Sequence, residues 1–284
     1  MKKITIAHIG SNEWFNYKEE IIFGLYHALR SCGHQVQIKH NQLDEQSINF
    51  IIGGDWLSQD IKFQQFIDNK LKYYIFEVEN FDGVTINSRE GFNLKNYCQM
   101  VEKSLGVITP YLYNIDTINK LDIIDKDKIQ YLKWGFFEEV IDPNIVRTQA
   151  RNIHGTFFGL LKGDRLAKAQ MLQAKLQNQV RFLGREQPHA FKAAALSSSH
   201  YALSLAYGES EKFVNPFRLY YLFSNGVNAI SDNTIDADGY LQLAIKAPIA
   251  NFVDQMLRQV PDESELIERA KMNNLKHNIK AINI

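Results

Sequence analysis

The chain has 284 residues, 45% of them hydrophobic and 23% charged, enough to bury a sizeable core as one large domain or two lobes of about 140 residues. Lysine plus arginine and aspartate plus glutamate both number 32, so the formally neutral chain has no general attraction for nucleic acid or anionic lipid. No apolar run approaches the roughly 18 residues of a membrane-spanning helix, and the N-terminus enters a strand pattern without the apolar core of a signal peptide.

The first half alternates short apolar runs with amphipathic segments. Residues 4–9 form a buried-strand run that ends at the turn signal Gly10-Ser11-Asn12. Within 18–31, Ile21, Ile22, Leu25 and Leu29 fall at helical spacing, and Gly33 stops the helix. Strands follow at 35–39 and 49–52, the second closed by Gly53-Gly54. Residues 61–67 read as a helix, 73–78 as an aromatic and β-branched strand, and 94–105 as a further helix. A strand at 107–109 stops at Pro110, and another at 129–134 ends at Gly135. Cys32 and Cys98 lie in helix-like stretches and make neither a metal spacing nor a disulfide framework, which points to a reducing, cytoplasmic setting.

The stretch opened by Asp142-Pro143 is polar and carries no apolar period, as expected of a linker. Alternation then restarts with strand 155–161, helix 166–176, strand 180–183, helix 191–196, strand 201–206, helix 216–224 and strand 227–230. Residues 263–282 place Leu266, Ile267, Ala270, Leu275 and Ile279 on one side and read as one amphipathic helix. The expected fold is α/β, with two Rossmann-like doubly wound lobes facing a central cleft. Residues 1–141 are the N-terminal lobe, 142–153 the linker, 154–262 the C-terminal lobe and 263–284 a C-terminal helix. In open parallel sheets ligands sit outside the carboxyl ends of the strands, where helix N-termini turn N–H groups toward anions. Neither a dinucleotide fingerprint nor a Walker A lysine follows any strand, which weakens the case for a dehydrogenase or a P-loop kinase.

The segment richest in chemistry runs Glu209-Ser210-Glu211-Lys212-Phe213-Val214-Asn215-Pro216-Phe217-Arg218-Leu219-Tyr220-Tyr221 and on to Gly226 and Asp232. Proline suits a first helical turn, because its missing N–H would have no intrahelical partner. The N–H groups of Phe217 and Arg218 are then expected to face an anion, with the Arg218 side chain as a charge-assisted donor. The competing reading is a core helix with a snorkelling arginine.

This segment resembles the donor-binding motif of GT-B glycosyltransferases, in which a loop glutamate precedes a helix reading roughly R-L-Y-E-A-L-A-A-G. Arg218-Leu219-Tyr220 and Gly226 match it, Glu211 stands near the first glutamate, and Tyr221 replaces the second. The resemblance implies that Arg218 and the helix N-terminus hold a diphosphate, and that Glu211 or Glu209 lies near sugar hydroxyls. It places Tyr221 where the family grips a ribose, although a phenol cannot accept a bidentate pair as a carboxylate can. In the same enzymes the turn after the first strand of this lobe supplies a cation to the phosphates. Here that turn is Gly159-Leu160-Leu161-Lys162-Gly163-Asp164-Arg165, so Lys162 and Arg165 are the candidates, with Gly159 and Gly163 allowing close backbone approach. Arg185 stands where such enzymes begin the loop around the base, though a surface charge is the plainer reading of it.

The amino lobe is expected to supply the acceptor side and any general base. Candidates at strand carboxyl ends are His8, Glu13, Asp55, Glu77 and Glu79. Glu77 and Glu79 flank Val78 and should share a face on an extended chain, where one carboxyl would be raised by the other. Trp14 and Phe15 could stack on a sugar ring or pack on the following helix. Asp232, Asp236 and Asp238 lack the glycine and closing glutamate of a calcium loop, so no metal site and no cofactor are expected.

The resulting expectation is a cytoplasmic, metal-independent glycosyltransferase using a UDP- or GDP-sugar and a glycan or lipid-linked acceptor, visiting the membrane peripherally for the latter, with no nucleic-acid partner. The rivals are a non-catalytic scaffold or activating subunit, a phage-type DNA glucosyltransferase and a sugar-nucleotide epimerase.

Overall fold

A computed structural model describes residues 1–12, 18–60, 63–68, 70–86, 92–147, 151–184, 187–206, 213–232, 235–258 and 263–284. The chain divides into two compact units, Met1–Trp134 with Leu275–Ile284, and Gly135–Asn274. The expected residues Glu13, Trp14, Phe15, Arg185, Glu209 and Glu211 lie outside the described residues.

In the first unit the strands are β1 (Lys3–His8), β2 (Gln35–His40), β3 (Ile48–Ile52), β4 (Lys72–Phe76), β5 (Gly106–Thr109) and β6 (Ile129–Tyr131). They form a parallel sheet of order β2-β1-β3-β4-β5-β6. β1, β3, β4 and β5 are buried almost throughout, which is why they read as continuous apolar runs. β2, at the edge, alternates polar Gln35, Gln37 and Lys39 with Val36 and Ile38. Helix α1 (Glu19–Ser31) crosses from β1 to β2 and packs along both. After β3 comes the single turn α2 (Gly54–Leu57), then α3 (Phe63–Asp68). Ile51, Ile75 and Val107 share a core cluster with Tyr97, Met100 and Val101 of α4 (Leu94–Lys103) and Ile118 of α5 (Leu112–Leu121).

The second unit holds β7 (Ile153–Phe158), β8 (Val180–Leu183), β9 (Ser199–Ser204), β10 (Asn228–Ser231) and β11 (Ile245–Lys246), again parallel, in the order β11-β10-β9-β7-β8. Its helices are α6 (Asp164–Leu176), α7 (His189–Ser197), α8 (Pro216–Ser224), α9 (Phe252–Met256) and α10 (Glu263–Lys271). Phe157, Tyr201, Leu203 and Ile230 pack with Leu172 and Leu176 of α6 and Phe252 and Met256 of α9. Counted from its first strand, this sheet repeats the order of the first five strands of the other. Each sheet therefore has a point where the chain reverses its winding direction, β1/β3 in one and β7/β9 in the other.

Two boundaries differ from the sequence expectation. Residues 142–147 belong to the second unit: the Asp142 N–H donates to Asn225 Oδ1 at 2.7 Å and the Val146 N–H to Ser197 Oγ at 2.9 Å. Their polar groups, which suggested a solvated linker, are used internally. The expected helix 263–282 is divided. α10 ends at Lys271, the Asn273 carbonyl accepts from the Phe136 N–H at 2.7 Å, and α11 (Leu275–Asn278) begins in the first unit. Leu266 and Ala270 are buried in one unit and Leu275 and Ile279 in the other, so one apolar stripe serves two cores. Among the described residues no helix is long and apolar enough to cross a membrane.

Candidate functional site

In the first unit a small depression lies at the carboxyl ends of β1, β3 and β4, lined in part by His8, Lys18, Gly53, Asp55, Trp56 and Glu79. This is the winding-reversal point of the sheet, where ligands of such folds bind. Gly53 makes the turn from β3 into α2 at φ +93°, and a Cβ there would collide with the Ile9 carbonyl. Strand register sets His8 opposite His40, with their Nδ1 atoms 3.2 Å apart and their rings stacked at 5.3 Å. Burial, with His40 and Lys18 nearby, lowers the His8 pKa to about 4, so the ring is neutral and a weak base at neutral pH.

Glu79 pairs with Lys18 at the rim. Glu77 does not share the depression. β4 ends at Phe76, so strict strand alternation no longer governs the next residues. Its carboxyl is buried, accepting from the Tyr97 hydroxyl at 2.7 Å and the Glu79 N–H at 3.1 Å. Burial first, and the neighbouring Asp55 second, push Glu77 up to about 8; Glu79 adds a smaller contribution. The expected like-charge effect is present, but Asp55 dominates it. Asn114, buried at the start of α5, fixes this segment by donating to the Glu79 carbonyl at 2.7 Å and accepting from the Phe81 N–H at 3.0 Å.

In the second unit Arg218, half-buried near the start of α8, lies over the rings of Phe157 and Phe158 at the end of β7, its Cζ 5.4 and 5.1 Å from their centroids. Gly159 follows at φ +140°, and a Cβ there would come within 3.0 Å of Arg218 Nη2. Glycine thus lets the guanidinium lie against the strand end. The backbone of Arg218 behaves differently from expectation: its N–H donates to the Asn215 side chain at 3.0 Å, an N-cap that competes with any anion for that group. N215A is expected to cost about 1 kcal/mol of stability in urea unfolding, with N215S close to wild type.

Of the other expected phosphate ligands, Lys162 is exposed in the turn before α6. Arg165 is turned onto the sheet, its Nε donating to the Leu205 carbonyl at 2.8 Å. Lys168, which sequence reasoning passed over, makes the same kind of tie. Its Nζ reaches the Ala206 carbonyl at 2.9 Å and Asp232 Oδ2 at 2.7 Å, while the Ala206 N–H donates to Asp232 Oδ1 at 2.6 Å. Asp236 accepts from the N–H groups of Tyr240 and Leu241, both at 2.7 Å, which accounts for that polar loop.

Tyr221 is buried, and its hydroxyl points to Asp142 Oδ2 at 3.4 Å. The same oxygen meets His189 Nε2 at 2.6 Å, while Asn144 N and Nδ2 donate to Oδ1 at 2.9 and 3.0 Å. Asp142 sits below the usual carboxylate range because its hydrogen bonds to Asn144 and His189 outweigh the opposing effect of burial, the largest single influence. Lys192 lies over the Tyr221 ring, Nζ 4.2 Å from the centroid, and 5.3 Å from that of Phe158. Sequence reasoning missed Asp142, His189 and Lys192. The only signal was the spacing of His189 and Lys192 on one helix face.

No protein-family model matches the chain, and no curated protein sequence matches it. Solved structures do. UDP-GlcNAc 2-epimerase from Neisseria meningitidis bound to UDP-GlcNAc is 10% identical, covering 98% of this chain and 97% of its own, with a TM-score of 0.52. UDP-GlcNAc 2-epimerase from Methanocaldococcus jannaschii is 11% identical over 95% and 99% of the two chains, with a TM-score of 0.48. The glycosyltransferase SnogD from Streptomyces nogalater is 10% identical over 99% and 95%, with a TM-score of 0.45. The likeness to the Neisseria enzyme, over nearly the whole of both chains, establishes the fold: two parallel α/β units of the GT-B type.

Proposed function

We propose that the chain is a glycosyltransferase that takes a sugar from a nucleotide-sugar donor and passes it to a hydroxyl of a glycan or lipid-linked acceptor. The observation that carries this reading is Arg218, held across Gly159 on the Phe157 and Phe158 rings at the carboxyl end of β7. A guanidinium fixed at that end of a parallel sheet suits a departing diphosphate. The acceptor oxygen bonds to the anomeric carbon as the bond from that carbon to the diphosphate oxygen breaks. The nucleoside diphosphate leaves with the electron pair, and the acceptor proton passes to a base. Asp55 and Glu79 are assigned that role, since both line the depression of the first unit and His8 is too weak a base at neutral pH. A UDP-sugar is the first donor to test, given the ligand of the Neisseria enzyme. The reaction is assigned to the cytoplasm, with peripheral membrane contact where the acceptor is lipid-linked.

A second reading, isomerisation of the nucleotide-sugar itself, is favoured by the gathering of Asp55, Glu77 and Glu79 around one strand end and by the fold shared with an epimerase. Calorimetry with UDP-, GDP- and CMP-sugars should give heat with one donor class. Incubation of that donor without acceptor should return it unchanged for a transferase and as a mixture of isomers for an isomerase. An absence of heat with every donor would leave a non-catalytic subunit as the better account.

A further inference from the structure

Arg165 and Lys168 both project from α6 onto the end of β9, where they hold the carbonyls of Leu205 and Ala206. Those contacts join α6 to the sheet and turn both cations toward main-chain oxygens. Lys192 is placed differently. It stands one turn into α7, and side chains on a helix lean toward its N-terminus, here the end nearest the carboxyl end of β8.

Its ammonium lies 5.3 Å from the centroid of Phe158, the ring that also carries Arg218 at 5.1 Å. Both cations thus lie against one aromatic side chain, the last residue of the strand at the winding-reversal point. The platform under Lys192 is fixed from below. The Tyr221 hydroxyl points to Asp142, whose other oxygen is held by Asn144, and the Tyr221 carbonyl accepts from Asn225 Nδ2 at 2.7 Å. A ring whose hydroxyl is directed to Asp142 holds the lysine over its face and reduces the rotamer entropy lost when a ligand binds.

We propose that Lys192 is the second phosphate ligand of the donor site, so that Arg218 and Lys192 together clasp a nucleoside diphosphate by its two phosphates while Arg165 and Lys168 hold the scaffold. This rests on the donor-site reading above. The ligand class it selects has two adjacent phosphates, and a monophosphate would engage the pair only in part.

The test is calorimetric titration of the full chain with UDP, GDP, UMP and inorganic pyrophosphate. The variants are K192M, which keeps an unbranched side chain over Tyr221, then K192R and K175A. K192M is expected to weaken UDP and pyrophosphate binding by roughly tenfold or more and UMP by clearly less. K192R should recover most of the loss, and K175A, at an exposed lysine in the last turn of α6, should stay within about twofold of wild type, all at an unchanged melting temperature. K192M binding UDP as tightly as wild type, or losing UDP and UMP equally, would overturn the assignment while leaving the donor site itself standing. A wild-type chain that binds none of UDP, GDP and pyrophosphate would remove the donor site and this inference together.

Discussion

R218A is expected to lower turnover by about two orders of magnitude on whichever donor the calorimetric panel selects, with little change in melting temperature. The guanidinium lies half-buried on two aromatic rings, beside a glycine whose missing side chain leaves it room. A donor fixed in advance next to a leaving group gains strength as negative charge develops, so its removal affects the rate more than ground-state binding. R218K should recover only part of the rate, because an ammonium cannot reproduce the planar two-pronged contact that also stacks on Phe157 and Phe158. The experiment is a steady-state comparison at saturating donor. Wild-type turnover in R218A would leave the helix as core structure and the arginine as surface packing.

The largest effect on stability is expected at Glu77. Its carboxyl titrates at about 8 in the folded chain against 4.5 for an ordinary glutamate, chiefly because it is buried, with Asp55 as the stronger of the like charges acting on it. Between those two values the folded chain holds a proton that the unfolded chain has released. Its contribution to stability is therefore complete below about pH 4.5 and is lost progressively as the pH rises through about 8. The loss across that window is of order 5 kcal/mol. E77Q cannot ionise and should flatten this slope, so that wild type loses stability relative to the variant as the pH climbs. Urea unfolding of both chains at intervals from pH 5 to about pH 9 measures the difference. Parallel curves would mean that Glu77 is charged in the fold and that water or a counter-charge reaches it.

Much of the fold was legible because buried parallel strands and core-facing helices impose simple patterns. β1, β3 and β4 read as continuous apolar runs, and α1 as a stripe at Ile21, Ile22, Leu25 and Leu29. α8 was bounded correctly by Pro216 and Ser224. α5 was missed because Leu112, Ile115, Ile118 and Leu121 are separated by asparagine, aspartate and threonine, which favour turns over helix interiors. β11, two residues long, leaves no pattern to detect. The candidate site was legible by residue type and much less by partner. Arg218 was singled out for its place after a proline, but the same reasoning assigned its N–H to an anion, and Asn215 accepts from it instead.

The sequence by itself determined the class of fold, the strand ends where ligand chemistry could gather, and Arg218, Asp55, Glu77 and Glu79 as residues to watch. Periodicity and helix-start chemistry are local, and local rules act over a few residues. Only the tertiary structure decided that Arg165 and Lys168 tie down β9, that Asp142 meets His189 and Tyr221, that Lys192 shares Phe158 with Arg218, and that the last apolar stripe is divided between two cores. Those contacts join residues tens of positions apart. Whether a cation meets a carbonyl, a carboxylate or a ligand depends on which strand ends the sheet order sets side by side.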